Sequence, residues 1–173
     1  MLAKALVLFC LGTSSLSAIG SGCAFSPVQV DPVEPGRNDI YAGKKEKTEL
    51  RFINEDPGNS NVQVFPEAPL TVNHLSTGTR CEIKGKGYIW PRQHIYLNGR
   101  ESVLLVDEYS GAADSLVLYQ TRTCKKLKEF DVSGAYWKVN EHSVSVGYDC
   151  TDRGMASCRK KKEIDLNRFC KNR

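Results

Sequence analysis

The feature that most constrains the fold is a series of short strand-forming runs spread over most of the chain. Each run is rich in Val, Ile, Leu, Tyr and Phe and is bounded by Gly, Asn, Asp or Pro, which is typical of β-strands. The runs cover residues 48–53, 62–65, 79–83, 94–97, 103–108, 115–120, 126–132, 136–139 and 143–148. We therefore predict an all-β fold, a single antiparallel sandwich-like domain of about 8–10 short strands.

Three local patterns refine this prediction. Residues 103–106 are apolar at every position, which predicts a central strand buried on both faces. Residues 143–146 alternate Ser and Val, so this strand should have one face in water. The dipeptide Asn98-Gly99 lies between two strand runs and favours a two-residue type I′ hairpin turn, because both residues tolerate positive φ.

Two strand–turn–strand segments in the second half of the chain are similar to each other. Residues 115–132 pass through Cys124 into Lys-Lys-Leu-Lys-Glu-Phe, and residues 143–166 pass through Cys150 and Cys158 into Arg-Lys-Lys-Lys-Glu-Ile. The first segment resembles the outer hairpin of a β-propeller blade, which implies a partly propeller-blade-like domain. Two hairpins are fewer than the four or so blades that close a ring, so we interpret the similarity as shared hairpin chemistry.

The N-terminal segment 1–24 has the pattern of a secretory signal peptide. Lys4 is its one charged residue, residues 5–11 are apolar, and small residues follow as far as Ala24. The apolar run is far shorter than the ~20 residues of a membrane-spanning helix. We therefore expect an exported protein, located in the periplasm or at the outer membrane, with secretion as a further destination.

The site of signal cleavage decides whether the protein is anchored. Cleavage before Cys23 would make this residue a lipidation candidate and give the protein a lipid anchor, although the aliphatic Ile19 is one place too early for a lipoprotein signal. Cleavage after Ala24 is the rival. Cleavage after Ala18 is less favourable because Leu16 is large.

The next segment, residues 25–47, has three prolines within nine residues and almost no periodicity. Such a composition favours extended conformations and buries little apolar surface. We predict an extended linker here, either a tether for an anchored protein or a flexible N-terminus, and one β domain over residues 48–173.

The cysteines predict a disulfide framework. Seven are present, and Cys10 lies within the signal peptide. The disulfide candidates are Cys81, Cys124, Cys150 and Cys158, and the last two can bridge across a seven-residue loop if they end and begin paired strands. Lipidation or removal of Cys23 would leave an odd number, five, which argues against the lipoprotein interpretation.

Motifs for catalysis and metal binding are absent from the sequence. It contains no Gly-x-Ser-x-Gly elbow, no phosphate-binding Gly-rich loop, no His-Glu-x-x-His and no Cys-x-x-Cys pair. Asp107 and Glu108 are adjacent, but neighbours on a strand point to opposite faces and cannot share acid–base work. We therefore predict no enzyme activity, no cofactor and no metal.

The most conspicuous surface feature is a set of basic residues on the two similar hairpins, which we call the basic surface. Its members are Lys125, Lys126, Lys128, Arg159, Lys160, Lys161 and Lys162. If the hairpins are neighbours, these residues form one positive face and are partner-binding candidates for an acidic protein, an anionic lipid or an anionic glycan. The alternative is a solvated edge, because lysines on edge strands block aggregation. Aromatic residues could add one or two exposed anchors, from Tyr88, Trp90, Tyr96, Tyr136 and Trp137.

Charge and composition narrow the function. The net charge is +4, and removal of Lys4 leaves +4 − 1 = +3, which gives no reason to predict nucleic-acid binding. Two classes fit a small, exported, disulfide-braced β domain. The first is a non-catalytic protein that binds and neutralises a partner protein in the cell envelope, as an immunity protein or an inhibitor. The second is an accessory structural lipoprotein of a secretion or pilus assembly.

Overall fold

The computed structural model describes residues 22–66, 69–84, 87–151 and 154–170. These residues form fifteen strands and two short 3-10 helices, Met155–Ser157 and Asn167–Phe169. The strands are β1 Phe25–Pro27, β2 Val30–Glu34, β3 Arg37–Lys44, β4 Thr48–Ile53, β5 Val64–Phe65, β6 Leu70–His74, β7 Arg80–Ile83, β8 Trp90–Pro91, β9 Ile95–Asn98, β10 Val103–Tyr109, β11 Asp114–Gln120, β12 Lys126–Asp131, β13 Tyr136–Val139, β14 Ser143–Tyr148 and β15 Lys160–Asp165.

Every pairing between these strands is antiparallel, which confirms the all-β prediction. The central sheet has the order β1-β9-β10-β11-β12, a second five-stranded sheet has the order β2-β3-β4-β6-β7, and a third sheet has the order β13-β14-β15. β5 and β8 form a separate two-stranded ribbon. Each of the nine expected runs contains a strand. Further strands outside these runs raise the total above the expected 8–10.

The central sheet lies between two hydrophobic cores because its strands are apolar on both faces. Alternate residues of β10 point to opposite sides, so Leu104 and Val106 join the core shared with the second sheet. Val103 and Leu105 join the core shared with the three-stranded sheet. All four are buried, as predicted for a central strand. The three sheets therefore pack face to face as successive layers.

The three-stranded sheet shows the other predicted pattern. In β14, Val144 and Val146 are buried while Ser143 and Ser145 are partly exposed. The valines face the core shared with the central sheet, and Ile164 of β15 packs with them. The alternation in the sequence is thus the signature of a sheet that covers one side of the central layer.

The segment predicted as an extended linker is instead part of the folded domain. Residues 25–44 form β1, β2 and β3, which pair within the central and second sheets. Pro27 and Pro32 lie on strands at the edges of those sheets, where the missing N–H costs no ladder hydrogen bond. Gly36 has a φ of 81° in the β2–β3 turn that follows Pro35. The proline spacing reflects edges and a turn, so the prediction of a linker is wrong for these residues.

The hairpin predicted at Asn98-Gly99 is present, but its turn is longer than two residues. Leu97 pairs with Leu104, and Glu101 has the positive φ, 58°. The Asn98 side chain closes the loop, since its Oδ1 accepts hydrogen bonds from the backbone N–H groups of Ser102 and Val103 at 2.8 and 2.9 Å. Asn98 therefore acts through its side chain, and the expected type I′ turn is wrong.

No helix in the described part of the chain is long and apolar enough to cross a membrane. The predicted signal peptide lies outside the described residues except for residues 22–24.

Candidate functional site

The basic surface occupies the outer edges of two different sheets. β12 is the last strand of the central sheet and β15 is the last strand of the three-stranded sheet. All seven side chains of the basic surface are exposed. An edge position is what both interpretations of the lysines require, since an edge is accessible to a partner and also needs protection from strand addition.

Some of the basic side chains have local partners on the surface. Lys126 forms an ion pair with Glu129, and Lys160 forms one with Asp149 at 2.9 Å. The Lys128 ammonium lies 6.0 Å from the centre of the Phe130 ring. Exposed ion pairs of this kind add little to stability, at most about 1 kcal/mol, so their charges stay available to solvent and to ligands.

The two lysine-bearing hairpins meet at one end. The Tyr148 hydroxyl donates to the backbone oxygen of Asp131 at 3.5 Å, which joins the end of β14 to the end of β12. The rings of Phe130 and Phe169 pack edge to face with their centres 6.0 Å apart. Contact at the ends of the hairpins is consistent with one positive face, which remains a prediction.

A second exposed feature is the turn between β10 and β11, residues 109–113, which we call the hairpin tip. All five residues are exposed, and four of them are small. The backbone N–H of Ser110 donates to the Ala113 oxygen at 2.9 Å, and the Tyr109 hydroxyl donates to the Gly111 oxygen at 2.9 Å. The tip therefore continues the most buried strand pair and presents an internally hydrogen-bonded turn with mostly small side chains to solvent.

An acidic and aromatic cluster supports the base of this tip. Nδ1 of His94 lies 2.7 Å from Oδ2 of Asp107, and the His94 ring packs edge to face on Trp137 with ring centres 4.6 Å apart. Burial and the neighbouring Asp107 carboxylate raise the pKa of Asp114 to about 7. Oδ1 of each aspartate is buried without another partner, so a proton shared between the two carboxyl groups would satisfy both.

The opposite face of β10 carries a second buried carboxyl group. The Tyr119 hydroxyl donates to Oε1 of Glu108 at 2.5 Å, and burial raises the pKa of Glu108. Asp107 and Glu108 thus point to opposite sides of the strand, as the sequence predicts. Glu108 lines a cavity of about 240 Å³, which is also lined by Lys126 and Glu129.

Four of the cysteines form disulfides. Cys150 is joined to Cys158, the pair predicted from the sequence, and the two residues follow β14 and precede β15. The turn residues Asp152 and Arg153 of that loop lie outside the described residues. Cys81 of β7 is joined to Cys124 in the β11–β12 turn, so this bridge connects the second sheet to the central sheet.

The aromatic residues are mainly structural. Trp90 is fully buried in the core shared with the second sheet, and Tyr96 and Trp137 pack against the core shared with the three-stranded sheet. Tyr88 is half-buried, and Tyr136 is exposed. Tyr136 is therefore the exposed member of the five candidates, and Tyr109 at the hairpin tip, which was not among them, is exposed as well.

Among the described residues, no group of His, Cys, Asp or Glu side chains has the arrangement of a metal site.

The hairpin tip and the cluster beneath it were not predicted from the sequence. A signal was present, because Asp107 follows the apolar run 103–106 directly and Gly111 is followed by two alanines. Nothing local relates His94 or Trp137 to Asp107, however, since these contacts are made by packing.

Two comparisons with known proteins agree. A family described as "Tsi1: Immune protein Tsi1" matches residues 23–170. The chain is also 33% identical over 156 residues to "Immune protein Tsi1" from Pseudomonas aeruginosa strain PAO1, and the match covers 90% of each chain. The matched region includes every strand, both disulfides, the basic surface and the hairpin tip. This chain therefore belongs to the Tsi1 immune protein family.

Proposed function

We propose that this protein is an immunity protein that binds and neutralises a partner toxin without catalysing a reaction. The observation that carries the proposal is the family match over residues 23–170, together with 33% identity to an immune protein along 90% of the chain. The fold suits this function, because three layered sheets and two disulfides hold exposed loops and edges in fixed positions. The accessory-lipoprotein alternative receives no such support.

The proposed place of action is the cell envelope. The N-terminal signal pattern favours export, and disulfides persist in oxidising compartments such as the periplasm. The toxin would then be one that acts in the envelope, for example an enzyme that degrades the cell wall. A bound immunity protein would block such a toxin by covering its active site or by preventing its access to substrate.

Two surfaces are candidates for contact with the toxin. The basic surface would meet an acidic face and would act mainly on the association rate. The hairpin tip would enter a cleft, because a narrow, braced projection with small side chains fits a concave site at little cost in conformational entropy. The two surfaces lie on different elements, so substitutions can separate them.

The proposal is tested with the purified mature protein and the toxin encoded beside its gene. We expect a stoichiometric complex in calorimetry, loss of toxin activity at equimolar immunity protein, and protection of cells that express the toxin in the periplasm. A protein that neither binds the toxin nor protects the cell would refute the proposal.

Matched variants then locate the contact. Lys161→Glu with Lys162→Glu reverses charge on the basic surface, Ala112→Arg adds bulk to the hairpin tip, and Lys44→Glu on the second sheet is the control. Loss of affinity in the tip variant alone would assign the contact to the tip. Loss in the lysine variant alone, with a steep dependence on salt, would assign it to the basic surface.

A further inference from the structure

The N- and C-terminal ends of the described chain lie side by side. The backbone oxygen of Gly22 accepts hydrogen bonds from the Arg100 backbone N–H at 3.1 Å and from Nδ2 of Asn98 at 3.2 Å. The Phe25 N–H donates to the Glu141 oxygen at 2.7 Å. The start of β1 and the residues before it are thus held on both sides, against the β9–β10 loop and against the β13–β14 turn.

Within the described residues, the two cysteines outside the disulfides meet at this place. Cys170 Sγ lies 3.9 Å from the backbone oxygen of Cys23, and the Cys23 side chain contributes to the raised pKa of Cys170. Cys23 Sγ lies 3.9 Å from the oxygen of Asn167, and Nδ2 of Asn98 lies 3.7 Å from Cys170 Sγ. Both cysteine side chains also pack on the core between the central and three-stranded sheets. The two cysteines are therefore neighbours, although 147 residues separate them in the sequence.

We propose that Cys23 and Cys170 form a third disulfide in the exported protein and that Cys23 is therefore not lipidated. With the two disulfides already described, this pairing accounts for every cysteine except Cys10. Lipidation would convert the Cys23 sulfur into a thioether, so the disulfide and the lipid anchor exclude each other. The proposal also requires cleavage of the signal before Cys23 and not after Ala24.

The chemistry is thiol–disulfide exchange with a protein or small-molecule disulfide as the oxidant. The Cys23 thiolate attacks one sulfur of the oxidant and releases its other sulfur as a thiolate. The Cys170 thiolate then attacks Cys23 and releases the second oxidant sulfur. The oxidant takes up two electrons, and the two thiol protons pass to the released thiolates.

The order of attack follows from exposure. Cys23 is half-buried whereas Cys170 is buried, and burial beside Cys23 raises the pKa of Cys170 to about 12. In the folded protein the first attack therefore comes from Cys23, and the second step is slow. The same burial protects the finished bond from reductants, so the disulfide would act as a permanent clamp on the short edge strand β1.

The test uses protein purified from the cell envelope, with free thiols blocked by N-ethylmaleimide before unfolding. We expect no maleimide adduct on the wild type and a peptide that links Cys23 to Cys170 in non-reducing digests. The Cys170→Ser variant should carry one adduct, on Cys23. Adducts on both cysteines, a lipid on Cys23, or a mature chain that lacks Cys23 would each overturn the proposal.

Thermal unfolding distinguishes a bond from simple packing. Breaking a loop that closes almost the whole domain should lower the melting temperature by about 10 °C. Because loss of either thiol breaks the same bond, Cys23→Ser, Cys170→Ser and the double variant should show equal losses. Additive losses would show that the two residues only pack, and would overturn the proposal. Neither measurement depends on the toxin.

Discussion

The two disulfides of the structure should contribute unequally to stability, and the structure allows the difference to be calculated. Cys81 and Cys124 are 43 residues apart, whereas Cys150 and Cys158 are 8 apart. The chain-entropy relation assigns about 4 kcal/mol to the longer loop and about 2.5 kcal/mol to the shorter one. The difference of about 1.5 kcal/mol depends only on the ratio of the two loop lengths.

The perturbation is a pair of double variants, Cys81→Ser with Cys124→Ser and Cys150→Ser with Cys158→Ser. Both should keep the β-rich circular dichroism spectrum, since the strands next to each bridge are held by backbone hydrogen bonds within their own sheets. At about 2–4 °C per kcal/mol for a chain of this size, the first variant should melt about 3–6 °C below the second. Calorimetry under oxidising conditions measures this difference.

A reducing agent supplies the control. With every bridge open, the two variants and the wild type should converge on one melting temperature. If the short-loop variant were the less stable one under oxidising conditions, or if the two were equal, loop closure would not be the dominant contribution. The Cys81–Cys124 bridge, which connects two sheets, would then have no greater role than a local staple.

Two further predictions concern the central sheet. The pKa of Asp114 is raised to about 7 in the folded protein, from an ordinary value of 3.8. The folded state therefore binds this proton more tightly than the unfolded state does. Stability should therefore fall as pH rises from about 4 to about 7, and Asp114→Asn should flatten the melting-temperature profile; an unchanged slope would contradict this assignment. Leu105→Ala, in the fully buried strand β10, should cost about 2–5 kcal/mol in denaturant unfolding. The exposed Leu127→Ala should change stability by less than about 0.5 kcal/mol, and an equal loss would refute the two-core arrangement.

The hydrophobic pattern of the sequence was sufficient to predict burial where each face of a strand has one uniform environment along its length. Residues 103–106 are apolar throughout because β10 contacts a core on each face, and the alternation of 143–146 follows from a sheet with one wet face. Such patterns can be predicted because the side chains of a strand alternate with a period of two wherever the strand lies. The Cys150–Cys158 bridge was predictable for a similar reason, since it spans one local hairpin.

The prolines led to the wrong prediction of a linker. A proline lacks a backbone N–H donor, but this does not prevent its segment from folding. Pro27 and Pro32 occupy edge strands, and the order of strands in a sheet is not a local property of the sequence. Asn98 was interpreted through its backbone, whereas its side chain closes the loop by accepting two backbone hydrogen bonds. In both cases the sequence does not show which groups lie next to the residue in the folded protein.

The sequence by itself determined the all-β class, the central strand and the hairpins. Only the tertiary structure decided which distant residues meet. It places His94 and Trp137 beside Asp107, joins Cys81 to Cys124, and brings Cys23 to Cys170. The physical reason is that strand formation depends on a residue's own alternation and its near neighbours, whereas these contacts depend on how three whole sheets bury their apolar faces against one another.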